Sequence, residues 1–312
     1  MADIRFYDLD FNLLYILPQY AEDFGYQSIN TQQDFNDNGS VEIVFRDEEL
    51  KGIAEQYRDN ILVTWNGFQG FLTSYKWTDS ECRLFGMHLN GLLHRIVIGI
   101  TSETTDTAEN IARAVFENID WLTLGEMAGD TKEVTYSTDK PKTADTFIQE
   151  LFKAGDCGYC VTANLLEKKY VLDIINTRTN PLMLSVSNLN AYGVEVTYNG
   201  KAIAHGGWYK KDDAWLYVSK DTTRTGIHNV DTVLSAGTNA EALNELKACK
   251  EEYEVIANVR NIEYGADYAI GDIVRVQTDG ITQRQLVSGV SRWQEKGYGE
   301  KPILTDFTEV TE

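Results

Sequence analysis

The stretch NILVTWNGFQGFLTSYKW holds two apolar runs of strand length with Asn66-Gly67 between them. Both residues of an Asn-Gly pair accept the positive φ that a type I′ turn demands, so the pair predicts a hairpin. It also fixes which side chains of the two strands share a face. A second turn sits inside NIEYGADYAIGDIVRV, where Gly271-Asp272 separates a polar, tyrosine-bearing lead-in from the apolar run Ile273 to Val276. Gly271 tolerates φ > 0, and Asp272 is a residue that hydrogen-bonds backbone N–H groups two positions on. Both turns are architectural devices that dictate where strands begin.

Other parts of the chain follow the same pattern. IRFYD, NLLYIL, YQSINTQ, VEIVF and ECRLFGM are short strand-like runs, separated by clusters such as DFNDNGS. Short strands at this spacing predict a small barrel or sandwich. After about residue 97 the period changes. Ile111, Val115 and Ile119 recur at helical spacing behind Asp106 and Glu109, a capping-box pair. Phe147, Ile148, Leu151 and Phe152 form a second helical face that Gly155 ends. A hairpin, GYCVTANLLEKKYVLDII, follows. Beyond residue 182 strands return, interrupted by one helix in TNAEALNELKAC with Thr238 and Glu241 as its cap. Tyr253, Val255, Ala257 and Val259 then alternate as a half-buried strand. Two segments repeat one plan of strand, Gly turn, longer strand and Trp: Asn66-Gly67 with Trp77, and Asp279-Gly280 with Trp293. The expected fold is α+β and mainly β. Two small antiparallel β-barrel-like domains, 1–97 and 183–312 (the latter with one helix), are joined by an α+β insert at 98–182.

A chain of 312 residues is too long for one small core. Its 28 Lys and Arg against 48 Asp and Glu give a formal charge of −20, which opposes a direct grip on nucleic acid or on an anionic membrane surface. MADIRFYDLDFN has no basic, apolar leader pattern, and LLHRIVIGI is too short to span a bilayer. Synthesis in a cytosol and no membrane insertion are expected. Four cysteines do not make a disulfide scaffold at this length.

Motifs that carry chemistry are thin. CGYC places Cys157 and Cys160 at dithiol spacing, which keeps a thiol–disulfide oxidoreductase open as an alternative. Yet the motif follows a helix and enters a strand, so its thiols lack the helix N-terminus that stabilises a thiolate. DFNDNG begins like a calcium loop, but the twelfth position is Phe45 instead of a bidentate Glu, and a hairpin loop is expected. HGGW at 205–208 has no nucleophile-elbow partner, and His88, His94, His205 and His228 are scattered. No catalytic residue, cofactor or metal is expected.

The tyrosine-rich run Y-x-x-D-Y-x-I-G-D-I-V-x-V at 264–276 resembles the tail-hub proteins of long-tailed phages, of the baseplate-hub superfamily shared with contractile injection machines. GMHLNGLLHRIVI, SVSNLNAYGVEVTYNG and TGIHNVDTVLSAGTNAEALNELKAC are similar to other segments of that family in the same order. The resemblance implies a virion protein of the tail tip, made in the bacterial host cytoplasm, and a homotrimeric ring of two barrels per chain that meets six-fold symmetry on one side and three-fold on the other. Its implied partners are a tail tube or distal tail protein, a tape-measure protein and a tip, spike or receptor-binding protein, with DNA passing through unbound. The hub of a contractile or tailocin particle is a second reading with the same fold.

Overall fold

The computed structural model describes residues 3–19, 25–78, 81–99, 102–129, 131–138, 140–200, 203–249, 252–278 and 280–307. By its internal contacts the chain divides into a larger unit, 1–193 with 257–312, and a smaller one, 194–256.

The larger unit is built on one eleven-stranded sheet. Its first seven strands are β1 (Ile4–Asp8), β2 (Leu13–Leu17), β3 (Tyr26–Asp34), β4 (Ser40–Phe45), β5 (Ile61–Trp65), β6 (Phe68–Trp77) and β7 (Cys82–His88). They lie in the order β3-β4-β7-β6-β5-β1-β2. The Asn66-Gly67 hairpin is as expected: Asn66 and Gly67 have φ of 45° and 81°, and Trp65 pairs with Phe68. Helix α1 (Glu48–Tyr57) is capped by Asp47, whose side chain accepts from the Leu50 N–H at 2.9 Å.

Chain ends meet at β3. The strand Ile281–Gln294 lies antiparallel beside it, with Asp34 opposite Gly289 and Ile29 opposite Gln294. Beyond come Asp272–Thr278 and then Arg178–Ser185, which runs parallel to it, while Tyr298–Asp306 also pairs with Ile281–Gln294. The class is α+β and mainly β, as expected. The two antiparallel regions, however, share this single sheet, and its path is open, with β2 at one end and Arg178–Ser185 at the other. The two hairpins that look alike in sequence lie in that same sheet, and Asp279 is outside the described residues.

The α+β insert has its own core. Helices α2 (Ala108–Phe116) and α3 (Ala144–Gly155) cover a sheet of Leu122–Leu124, Lys169–Asn176 and Cys157–Asn164. Phe116, Phe147, Ile148, Leu151 and Phe152 are fully buried between them. The cap of α2 differs from expectation: Thr107 is the N-cap, its Oγ1 accepting from the Asn110 N–H at 3.2 Å. Glu109 is diverted inward, where its carboxylate accepts from Arg113 Nε (2.8 Å) and from the Ala128 and Gly129 N–H groups. A buried carboxylate takes those stronger partners over the cap's own backbone amide.

In the smaller unit, Ala214–Ser219, Gly206–Lys211 and Asp231–Val233 form a three-stranded sheet. Tyr209, Val218 and Leu234 pack with Ala242 and Leu246 of α4 (Asn239–Ala248). Val255 and Ala257 are buried and Ile256 exposed, as the alternation predicts; the side chains of Glu241 and Tyr253 are outside the described residues. No described helix is long and apolar enough to cross a membrane.

His88 sits where β7 turns into the 3₁₀ helix Leu89–Arg95, accepting from the Asn90 N–H at 3.3 Å through Nδ1. Burial, aided by the nearby Arg292 charge, holds its imidazole down to about 4 against an ordinary 6.5. Between those values the unfolded chain binds a proton that the folded chain refuses. Stability is therefore full above pH 6.5 and falls as pH drops towards 4, by up to about 3 kcal/mol. Thermal melts across pH 7 to 4.5 are expected to show this fall in the native protein and a shallower one in His88→Asn.

Candidate functional site

The chemical motifs resolve into packing. Cys157 and Cys160 lie on the strand Cys157–Asn164, three residues apart, so the pleat sends their sulfurs to opposite faces. Cys157 joins the helix-side core, while Cys160 accepts from Gln33 Nε2 at 3.4 Å. Burial pushes both thiols up to about 12, and the Asp156 carboxylate beside Cys157 and Asp173 beside Cys160 add to it. Dithiol exchange needs two sulfurs on one side and a thiolate, and this strand supplies neither.

The DFNDNG segment is the β3–β4 loop. Asn36 Nδ2 donates to the Gln149 carbonyl at 3.0 Å and Asn38 Nδ2 to Asp145 Oδ2 at 3.0 Å, so the loop grips α3. Asp145 also meets His94 Nδ1 at 3.0 Å. Among the described residues no group of three or more His, Cys, Asp or Glu converges as a metal site. In HGGW, Gly206 and Gly207 open a strand whose surface is covered by Tyr217 and Leu234, and His205 Nδ1 accepts from the Val230 N–H at 3.1 Å.

What the fold does bring together is a joint centred on Phe35. Its N–H donates to the Ser288 carbonyl at 2.7 Å, and its carbonyl accepts from the Tyr159 N–H at 2.9 Å. One residue thus ties the β3 end to the closing strand on one side and to the insert on the other. Its ring lies against two glycines. A Cβ on Gly158 would stand 2.2 Å from the Phe35 carbonyl oxygen and 2.4 Å from the ring. A Cβ on Gly271 would stand 2.9 Å from Ile175 Cγ2, 3.1 Å from the Asn176 oxygen and 3.2 Å from the same ring. Gly271 also has φ +93°, so both backbone shape and space select glycine.

Asp272 completes the turn from the inside. It is fully buried; Oδ1 pairs with Arg178 Nε, and Oδ2 accepts from Asn180 Nδ2 (2.7 Å) and the Ala269 N–H (2.8 Å). The expected bond to an amide two residues on is replaced by one to an amide three residues back. The carboxylate closes the turn behind it and clamps the parallel strand Arg178–Ser185.

The tyrosine lead-in converges on Glu300. Its Oε1 accepts from the Tyr264 N–H (2.8 Å) and the Tyr268 hydroxyl (3.2 Å), and its Oε2 from Arg292 Nε (2.9 Å) and the Tyr298 hydroxyl (3.0 Å). Arg292 lies 4.5 Å from the Tyr264 ring centre. Burial, with the Glu300 charge, raises the Tyr268 and Tyr298 hydroxyls, Tyr298 to about 12, so both stay protonated donors. Asn66 and Gly67 line the same cleft, of about 590 Å³, with Gln33, Tyr298 and Glu300. Asp272 sits in a separate cluster at the other end of the lead-in. Sequence reading did not single out Phe35, Arg178, Arg292 or Glu300. The signal for the last two is visible in retrospect: they face each other across the Gly297 turn.

With both oxygens of Glu300 engaged by groups of neighbouring strands and the lead-in, this joint holds strands in register. Gly271→Val is expected to cost about 1–3 kcal/mol in backbone strain alone, and Phe35→Ala about 3–5 kcal/mol. Denaturant titration measures both; an unchanged midpoint in either variant contradicts the joint. Alkylation of the native protein at pH 8 is expected to leave Cys157 and Cys160 unmodified, as mass spectrometry of digests would read directly.

Neither a family model nor a curated protein sequence matches the chain. Solved structures do. The tail protein from Neisseria meningitidis MC58 aligns with 97% of this chain and 96% of its own length, with TM-score 0.60 and 13% identity. The prophage tail protein gp18 from Listeria monocytogenes EGD-e aligns with 99% of this chain and 95% of its own length, with TM-score 0.57 and 12% identity. A chain of the Francisella PdpA–VgrG complex aligns with 99% of this chain but 53% of its own length, with TM-score 0.58 and 11% identity. The chain has the fold of these tail proteins.

Proposed function

We propose that this protein is the structural hub of a phage tail tip or baseplate. The observation that carries the reading is end-to-end likeness to prophage tail proteins, with 95–96% of each of those chains matched. The joint agrees with it, since its charged and aromatic groups are spent on holding strands together. In this reading three copies form a ring. Residues 1–97 and 183–312 supply two related surfaces per copy, and 98–182 is the insert between them. Six near-equivalent surfaces then meet the tail tube or distal tail protein, and the three-fold side meets a tip, spike or receptor-binding protein. The tape-measure protein and then DNA pass through the lumen.

A second reading, the hub of a contractile or tailocin particle, is favoured by the likeness to a chain of a VgrG complex. It differs in the payload carried and not in the ring.

Cryo-electron microscopy of the particle is expected to place three copies at the distal end of the tube. Two, four or six copies there, or a location away from the tail, would refute the reading. A conduit for DNA needs walls that do not grip phosphate. The ring's inner surface is therefore expected to be net acidic, consistent with the formal charge of −20. Titration with duplex DNA at low salt is expected to show no tight binding, and a basic ring facing the channel would contradict the conduit.

A further inference from the structure

Strand β6 outruns its neighbour. β5 pairs with it only from Trp65 opposite Phe68 to Leu62 opposite Phe71. β6 continues through Leu72–Trp77 with β7 on one side, Ser74 opposite Phe85 to Trp77 opposite Cys82, and, among the described residues, no strand on the other. Six residues of free edge, about 20 Å long, offer unpaired N–H and C=O groups to any extended chain.

That edge forms one wall of a cleft of about 460 Å³. Ala54, Leu72 and Leu84 make an apolar floor, Thr73, Ser74 and Tyr75 are exposed along the wall, and Arg58 stands at the rim. Arg58 ends α1 with φ 52° and ψ −116°, a conformation that favours glycine. Its guanidinium has no hydrogen-bond or ion-pair partner among the described residues, and neither has the ammonium of Lys76 on the edge itself. Two carboxylates near the cations have partners: Glu55 accepts from Trp77 Nε1 at 3.1 Å, and Asp59, which also lines the cleft, faces Arg95 at 3.7 Å. In a chain with 48 acidic and 28 basic residues, two unpaired cations beside one open edge are a charge pattern that an acidic chain complements.

We propose that the cleft between α1 and the Leu72–Trp77 edge docks an extended acidic segment of another polypeptide, which adds to β6 as a strand and sets a carboxylate against Arg58. The bulge at Thr73 and the charge of Lys76 resist indiscriminate apolar pairing, and Lys76 at the same time favours an acidic strand. This inference does not rest on the hub reading.

The test uses the full chain and fluorescein-labelled ten-residue peptides that alternate Val and Thr with three Glu. Anisotropy is expected to show saturable binding, at least ~10-fold weaker when Lys replaces Glu and lost when Pro at alternate positions removes the N–H donors. Arg58→Gly relieves the backbone while deleting the guanidinium. It is expected to melt no lower than the native protein and to bind the acidic peptide ~5-fold more weakly. Hydrogen exchange at Leu72–Trp77 is expected to slow when the acidic peptide is added. No binding at millimolar peptide, protection elsewhere, or affinity unaltered in Arg58→Gly would overturn the proposal. So would protection of this edge that rises with protein concentration alone, which would make a second copy the occupant.

Discussion

The larger unit depends on what happens at Phe35. Its backbone hydrogen-bonds both to the closing strand, at Ser288, and to the insert, at Tyr159. Its ring fills the space that two missing Cβ atoms leave at Gly158 and Gly271. Close packing at this density turns small volume changes into strain, so the three segments are fixed relative to one another by shape as well as by hydrogen bonds. All three belong to the larger unit, and each lies more than a hundred residues from the next along the chain.

Such long-range pairing carries a loop-closure cost before any contact rewards it, and its register must be unambiguous. Arg292 and Glu300 supply that. A slip of one residue would turn Arg292 from its buried face towards solvent and leave the Glu300 carboxylate among tyrosine hydroxyls without its cation. Losing one partner of such a buried pair costs about 3–5 kcal/mol, whereas replacing both with apolar groups is often neutral. The pair therefore penalises wrong registers more than it stabilises the right one. Asp272, fully buried, pairs with the exposed Arg178 where the sheet changes from antiparallel to parallel pairing.

The same distribution of charge commits carboxylates to the fold. Glu109, Asp145 and Asp272 are buried and Glu300 is half-buried, and each accepts several hydrogen bonds within the fold. A general base turns a lone pair to a substrate, whereas these oxygens are turned to partners inside the fold. The thiols of Cys157 and Cys160 are held protonated by burial.

The sequence by itself determined the local structure. Asn66-Gly67 dictates its hairpin because only residues tolerant of positive φ fit that turn, and Gly271 its own turn for the same reason. The periods at Ile111–Ile119 and Phe147–Phe152 dictate helices, because a side chain's face is set by its spacing along the backbone. The identity of Thr107 as the cap of α2, with Glu109 turned inward, was not legible, since it depends on the loop at 128–129 that Glu109 meets. Nor was the single sheet: strand pairing depends on partners hundreds of residues away, and alternation alone does not say which strand lies beside β3. In the sequence DFNDNG reads as a hairpin loop, CGYC as the entry to a strand and Gly271-Asp272 as a turn, with nothing to link the three. Only the tertiary structure placed Gly158 and Gly271 against the Phe35 ring, because steric fit is a property of three segments brought together and is not encoded in any one of them.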